Sequence, residues 1–135
     1  MKLQTSTSLA LYSVLEAAKH AGEQIAAADI ADKYAVSPHH LAKVLRELAR
    51  AGILESTRGV GGGYRFVGNA KRLTLEAVIE LFEDIGATTA EAASASTTDI
   101  GRGLAVVLAE VDEIAKATFR SITIETMLKI VGRQR

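Results

Sequence analysis

The sequence predicts a mainly α-helical protein that carries one small β-hairpin, and three observations support this prediction. The 135 residues contain a single proline, the residue that most strongly disrupts helices, so long helical segments can form. Aromatic residues make up 4% of a chain that is 48% hydrophobic, so aliphatic side chains and alanine must form the core. Most apolar residues recur at spacings of three and four, the helical period, while two alternating segments flank a glycine-rich run.

Three helices are predicted in the first 51 residues, over 6–20, 27–34 and 38–51, each with apolar residues on one face. The third helix has a strong start signal, because Ser37 is a favoured capping residue and Pro38 suits the first helical position. Only three residues separate the second helix from the third. A short helix, a three-residue turn and a second helix are the signature of a helix-turn-helix.

A β-hairpin is predicted next, from alternating segments at 53–57 and 64–67 that flank the glycine-rich residues 58–63. A hairpin directly after three helices predicts the wing of a winged helix-turn-helix. The glycines do not form a G-x-G-x-x-G nucleotide loop, because Tyr64 holds the last position and the run leads into a strand. We therefore expect them to serve a tight hairpin.

The second half is predicted to be helical around one loop. Thr74 caps a fourth helix that extends to about residue 84, and residues 86–101 have no periodicity and are expected to form a loop. A long helix is predicted over 102–121, and a last short helix starts at Thr123.

Charge is divided unevenly between the two halves, although the net charge of the chain is zero. Residues 1–72 have a net charge of +4 and residues 73–135 a net charge of −4, which suggests that the first half faces an anion. The chain has no signal-peptide pattern and no apolar run long enough to span a membrane. A cytoplasmic protein is expected.

The third helix carries a basic stripe directly opposite its apolar face. At 100° per residue, His39, Lys43, Arg46 and Arg50 lie on one side and the leucines and valine on the other. The major groove of DNA admits a helix in this orientation, and His40 lies beside His39 in the turn that usually contacts bases. A basic face on an isolated helix is usually only solvated, but the surrounding helix-turn-helix and wing favour DNA binding.

Two arginines of the predicted hairpin are further candidates for DNA contact. Arg58 at the glycine-flanked tip can enter the minor groove, where a narrow A·T-rich stretch concentrates negative potential; the alternative is a surface arginine in a mobile turn. Arg65 can reach a phosphate, although a role on the strand surface is equally compatible with its position.

Enzymatic and metal-binding functions find little support. The chain has no cysteine, which excludes disulfides and thiolate ligands. The adjacent His39 and His40 point about 100° apart on a helix and cannot easily share one metal ion. No nucleophile with a base and an orienting acid is recognisable, so we expect neither an enzyme nor a cofactor.

The motifs in the first half resemble those of the Rrf family of bacterial winged helix-turn-helix transcriptional regulators, which includes IscR, NsrR and CymR. The R-G-x-G-G-G-Y wing is the most specific motif, and the resemblance extends over nearly the whole chain. The segments that carry it are Ala28-Asp29-Ile30-Ala31, Ser37-Pro38-His39-His40-Leu41, Leu45-Arg46-Glu47-Leu48, Ala51-Gly52-Ile53-Leu54, Arg58-Gly59-Val60-Gly61-Gly62-Gly63-Tyr64-Arg65, Leu73-Thr74-Leu75 and Ile122-Thr123-Ile124.

The resemblance implies a homodimer in which the long C-terminal helix crosses to the partner. Each protomer would then place its wing and its third helix on one half of a palindromic DNA site. It places residues 37–43 in the major groove and Arg58 in the minor groove. The predicted DNA-binding residues are Ser37, Pro38, His39, His40, Lys43, Arg46, Arg50, Arg58, Gly59, Tyr64 and Arg65. The predicted dimerisation residues are Leu104, Leu108, Val111, Ile114, Ala115 and Phe119.

The chain also departs from the family. Cluster-binding members carry three cysteines between the fourth helix and the dimer helix, where residues 86–103 of this chain have none, so a thiolate-held iron–sulfur cluster is excluded. Ala42 occupies a position that is acidic in some members, so their operator sequence does not carry over.

Together these observations predict two parts. Residues 1–72 form the DNA-binding domain, and residues 73–135 contribute a helix, a sensing loop at 86–103 and the dimerisation helices. The predicted function is a homodimeric repressor that binds double-stranded DNA without an iron–sulfur cluster and responds to a metabolite or a partner protein. The alternative is a protein-interaction module that uses the winged helix for docking.

Overall fold

The computed structural model describes residues 1–58 and 62–134, apart from the side chains of residues 88–90. Its helices and one antiparallel hairpin confirm the predicted fold class. The elements are α1 (Thr5–Lys19), α2 (Ala27–Tyr34), α3 (Pro38–Arg50), β1 (Leu54–Thr57), β2 (Gly63–Phe66), α4 (Leu75–Ile79), α5 (Ala87–Ala95), α6 (Asp99–Ser121) and α7 (Ile124–Arg133). Among the described residues, no helix is both long enough and apolar enough to cross a membrane.

The turn between α2 and α3 depends on a left-handed residue and a capped helix start. Ala35 has φ 52° and ψ 49°, and its N–H donates to the carbonyls of Ala31 and Asp32 at the end of α2. Ser37 then caps α3, with its hydroxyl accepting from the N–H of His40, and Pro38 occupies the first turn. These local contacts set the angle at which α3 leaves α2.

The hairpin is closed at its outer end and anchored at its side. Thr57 pairs with Gly63, and the Thr57 hydroxyl accepts from the N–H of Gly63 at 2.9 Å. Ile25, just before α2, exchanges two backbone hydrogen bonds with Tyr64, at 2.8 and 2.9 Å. The wing is therefore tied to the helix-turn-helix by backbone pairing.

One hydrophobic core extends through both halves of the sequence. α1 packs against α3, α4, β2 and α7, and α3 buries one complete face. Ile124 at the start of α7 is fully buried in the same core. The largest fully buried apolar side chains are Leu9, Val14, Leu41, Leu45, Leu48, Val78, Ile79 and Ile124.

The starts of α4 and α7 lie side by side. Thr74 and Thr123 form an antiparallel bridge, and the N–H of Leu75 donates to the carbonyl of Ile122 at 2.9 Å. Each threonine also caps its own helix through its hydroxyl. The bridge fixes the C-terminal helix against the end of the first half.

α4 is shorter than the predicted helix to residue 84. It ends at Ile79, and the N–H of Phe82 then donates to the carbonyl of Ile79 at 3.0 Å, three residues back. This tighter turn leaves Phe82 packed against the core. It also lets Glu83 reach the start of α1, where its carboxylate accepts from the N–H of Gln4 and the hydroxyl of Thr7.

The predicted loop at 86–101 is wrong, because residues 87–95 form α5. Five of its nine residues are alanine, the strongest helix former, but alanine gives little apolar periodicity. α6 also begins at Asp99, capped by the Thr98 hydroxyl, which is three residues earlier than predicted. The region proposed as a sensing loop is therefore mostly helix that packs along α6.

Candidate nucleic-acid interface

α3 presents a buried apolar face and an exposed basic face. Leu41, Val44, Leu45 and Leu48 are each at most 2% exposed. Lys43 and Arg46 are exposed on the other side of the helix, and neither takes part in an ion pair among the described residues. Their charges are available to an external anion.

The two histidines in the first turn of α3 differ in their exposure to solvent. His39 is exposed, whereas His40 is half-buried. The Nε2 atom of His40 lies 2.9 Å from the Ser6 hydroxyl on α1. His40 therefore joins α3 to α1, and His39 is the histidine presented to solvent.

The far end of the basic face carries a neutralised arginine. Arg50 is exposed, but its Nη1 donates to the Glu47 carboxylate one turn earlier, at 2.7 Å. An arginine shared with a carboxylate offers less positive charge to a phosphate. The strongest positive field on α3 is thus expected at Lys43 and Arg46.

The predicted wing residues fall in three different settings. Arg58 is exposed at the end of β1, and Gly59 lies outside the described residues. Arg65 faces Glu55 across the hairpin, with Nη2 3.2 Å from the carboxylate. Tyr64 is half-buried and packs against the core, so this residue holds the wing in place.

Gly63 shows a requirement that the sequence did not reveal. A Cβ atom at this position would lie 2.4 Å from the carbonyl oxygen of Ile25, closer than carbon and oxygen can pack. Glycine is needed here because the wing approaches the segment before α2, and not because of an unusual φ. No sequence signal pairs Ile25 with the hairpin.

A polar cluster holds α1 against α2. The rings of Tyr12 and Tyr34 stack with centroids 4.7 Å apart. The Tyr34 hydroxyl donates to Glu16 at 2.6 Å, and the Lys33 ammonium lies 2.6 Å from the same carboxylate. Burial raises the pKa of Glu16, but hydrogen bonds from Lys33 and Tyr34 outweigh it and leave the pKa lowered. Burial, and then the bond to Glu16, raises the pKa of Tyr34.

The comparison with protein families decides the class of this protein. The profile of Rrf2, described as an iron-dependent transcriptional regulator, matches residues 3–130. The chain belongs to the Rrf2 family. It is a DNA-binding transcriptional regulator, as the basic face on a winged helix predicted.

Relatives of known sequence agree with this assignment. BadM of Rhodopseudomonas palustris, named as an HTH-type transcriptional regulator, is 53% identical over 135 residues, which cover all of this chain and 86% of BadM. NsrR of Bacillus licheniformis, also named as an HTH-type transcriptional regulator, is 36% identical over 85 residues, 62% of this chain and 59% of NsrR. The expectation of a regulator and not an enzyme is confirmed by this Rrf2-family membership.

Solved structures of Rrf2-type regulators share the fold. CymR of B. subtilis, described as the global cysteine regulator, superposes with a TM-score of 0.77 at 23% identity, covering 96% of this chain and 98% of CymR. IscR of T. potens has a TM-score of 0.75 at 22% identity, covering 97% of this chain and 88% of that one.

The family description raises the question of an iron site in this Rrf2 member. The chain has no cysteine, and within residues 1–58 and 62–134 no three His, Asp or Glu side chains come together as metal ligands. The residues present do not fit an iron–sulfur cluster, which proteins hold mainly through thiolates.

Proposed function

We propose that this Rrf2-family regulator is a homodimeric repressor that reads a palindromic operator with α3 and the wing. The exposed basic face of α3, directly opposite its buried face, carries the proposal. Residues 1–72 would contact DNA and residues 73–135 would supply the dimer and the response to a signal. The signal would be a metabolite or a partner protein, and the protein would act in the cytoplasm, where its DNA lies.

Lys43 and Arg46 would provide the principal contacts on α3, since both are exposed and outside the ion pairs of the described residues. His39 would add a contact near the helix start, where recognition helices meet base edges. Arg50 and Arg65 would contribute less, because each already binds a carboxylate. Arg58 would follow the wing into the minor groove.

The dimer is supported by an exposed apolar stripe on α6. Leu104, Val111 and Ile114 are 58%, 54% and 67% exposed, and Leu108 lies between them on the same face. Contiguous apolar surface on a regulator marks an interaction site. Of the other predicted dimer residues, Ala115 is half-buried and Phe119 packs against the core of its own chain.

The DNA proposal is tested by fluorescence anisotropy with the protein's own promoter and a random duplex, over a range of salt concentrations. We expect a preference for the promoter that weakens as salt rises, since phosphate contacts release counterions. Lys43→Gln and Arg46→Gln should each lower the slope of log K against log salt by about 1.

Lys129→Gln is the matched control, because Lys129 is an exposed cation that belongs to α7 and not to α3. This variant should bind as wild type does. Equal affinity for promoter and random duplex, or equal losses for the control and the α3 variants, would contradict the proposal. The repressor role predicts higher transcription from that promoter when the gene is deleted.

A further inference from the structure

A cleft of about 550 Å³ lies between α5 and α6, in the second half of the sequence, whereas the basic face belongs to α3 in the first half. Its volume falls within the range of small-molecule sites in proteins. Small and apolar side chains line most of it. They are Ile85, Ala87, Ala93, Ala105, Val106 and Ala109.

Asp112 lines this cleft with a carboxylate oxygen that no described residue satisfies. Its Oδ2 is buried, and no hydrogen-bond donor reaches it among residues 1–58 and 62–134, the side chains of residues 88–90 excepted. The backbone at Gly86 lies close by, and a Cβ atom there would sit 3.4 Å from Oδ2. A buried acceptor without a donor is unfavourable, which makes this oxygen a candidate ligand contact.

The two cations that line the cleft are already engaged by other carboxylates. Arg102 pairs with Asp99, and the Lys116 ammonium lies 3.5 Å from Glu113. The unsatisfied group in the cleft is thus an acceptor. A matching ligand brings a donor, and an ammonium group also supplies the charge that a carboxylate attracts.

The cleft and the exposed stripe occupy different faces of α6. Ala105, Ala109 and Asp112 follow the helical period, as do Leu104, Leu108 and Val111, but the first set is rotated about 100° from the second. A second copy of the chain packed on the stripe therefore leaves the cleft side of α6 to α5 and to solvent.

We propose that this cleft binds a small molecule with an apolar body and an amine, whose ammonium N–H donates to Asp112. Binding joins α5 to α6 and so favours one arrangement of the helix that carries the stripe. The regulatory consequence, a change in operator affinity, rests on the proposed DNA-binding function; the binding site itself does not.

Three probes with the same apolar body test the ligand class: 2-phenylethylamine, 2-phenylethanol and 3-phenylpropanoate. Each is titrated into the full chain and followed by amide NMR shifts. We expect the amine to shift Gly86, Ala105 and Asp112 and to bind at least tenfold more tightly than the acid. Tighter binding of the acid, or no binding by the amine at millimolar concentration, overturns the proposal.

Variants locate the contact. Asp112→Asn should weaken amine binding at least tenfold and should fold normally, since it removes an unpaired buried charge. Glu110→Gln on the same helix is the matched control, since Glu110 is exposed and does not line the cleft, and it should change affinity less than twofold. Equal losses in both variants overturn the assignment of Asp112.

Ala109→Phe tests the cleft itself by filling it. We expect this variant to lose amine binding and keep the same mass in solution as wild type. Dissociation of a dimer by Ala109→Phe would show that a second copy covers the cleft, and would overturn the proposal. Amine binding and mass in solution are both measured without DNA. A failure to bind operator would therefore contradict the proposed DNA-binding function but not the proposed amine site.

Discussion

The carbonyl oxygen of Ile25 lies where a side chain on Gly63 would begin, 2.4 Å from an ideal Cβ position. Gly63→Ala must therefore push β2 away from the segment before α2 and strain two backbone hydrogen bonds. We expect this variant to lose about 1–3 kcal/mol of unfolding free energy, as overpacking does in well-packed sites. Urea denaturation followed by circular dichroism measures the loss.

Gly132→Ala is its control, since a Cβ atom there meets nothing within 4 Å and the residue lies in α7. Alanine should stabilise that helix by about 0.5–1 kcal/mol. If both alanine variants had the same stability, the contact with Ile25 would not be the reason for glycine at 63.

The turn of the helix-turn-helix holds Ala35 in the left-handed region, with φ 52°. An L-residue pays about 1–2 kcal/mol for this conformation and glycine does not, but glycine loses more entropy on folding. We expect Ala35→Gly to raise the unfolding free energy by roughly 0.5 kcal/mol. The control is Ala117→Gly, at an exposed position within α6, which should lower the unfolding free energy by about 1 kcal/mol. If both glycine variants were more stable than wild type, the left-handed conformation of Ala35 would not explain the gain.

The Glu83 carboxylate closes the start of α1 by accepting from the N–H of Gln4 at 2.9 Å and from the Thr7 hydroxyl. An anion at a helix N-terminus is stabilising because it faces the unpaired N–H groups. Glu83→Gln should cost about 1 kcal/mol, and less at high salt. Glu110→Gln is the control, because Glu110 is an exposed carboxylate within α6, and it should leave the unfolding free energy unchanged. If Glu83→Gln had no effect on stability, or an effect that did not depend on salt, the contact of Glu83 with the start of α1 would not be stabilising.

The cluster at Glu16 predicts a pH dependence of stability. Because the folded pKa of Glu16 is lowered from its usual 4.5, the folded state binds fewer protons than the unfolded state around that pH. The stabilisation is present above pH 4.5 and is lost as pH falls through the folded pKa. Wild type should therefore lose more stability than Glu16→Gln between pH 6 and pH 3, measured by urea denaturation at constant ionic strength. Parallel losses in the two proteins would contradict the lowered pKa.

Local signals were sufficient to predict the helix-turn-helix. The bounds of α2 match the prediction, and α3 begins at Pro38 because Ser37 caps it through atoms three residues away. The basic face also followed from the helical period alone. Each of these features depends on residues within one or two turns of each other, which is the range over which a sequence pattern carries information.

Features that depend on distant residues were not predictable. Glu83 lies 79 residues from Gln4, and nothing in either segment indicates their contact. The sequence pairs His40 with His39 as a candidate DNA contact, and nothing in it indicates that the His40 ring also lies 2.9 Å from the Ser6 hydroxyl of α1. α5 was missed for a different reason, since an alanine-rich helix lacks the apolar contrast that reveals a period.

The exposed stripe on α6 gives the sharpest test of the proposed dimer. Val111 lies in the middle of the stripe and is 54% exposed, so Val111→Asp should fold but place a charge in the interface. We expect the dimer to dissociate at least 100-fold more readily, since burying an unpaired carboxylate is strongly unfavourable. Sedimentation equilibrium measures the dissociation constant.

Ala117→Asp provides the matched control, because Ala117 is exposed on another face of α6. It should leave the dimer intact. If Val111→Asp separates the protomers, operator binding should weaken with it, because each protomer then engages its half-site without the effective concentration that its partner supplies. An unchanged dimer in Val111→Asp would remove the stripe from the interface, and unchanged operator affinity in a monomeric variant would show that the protein binds DNA one protomer at a time.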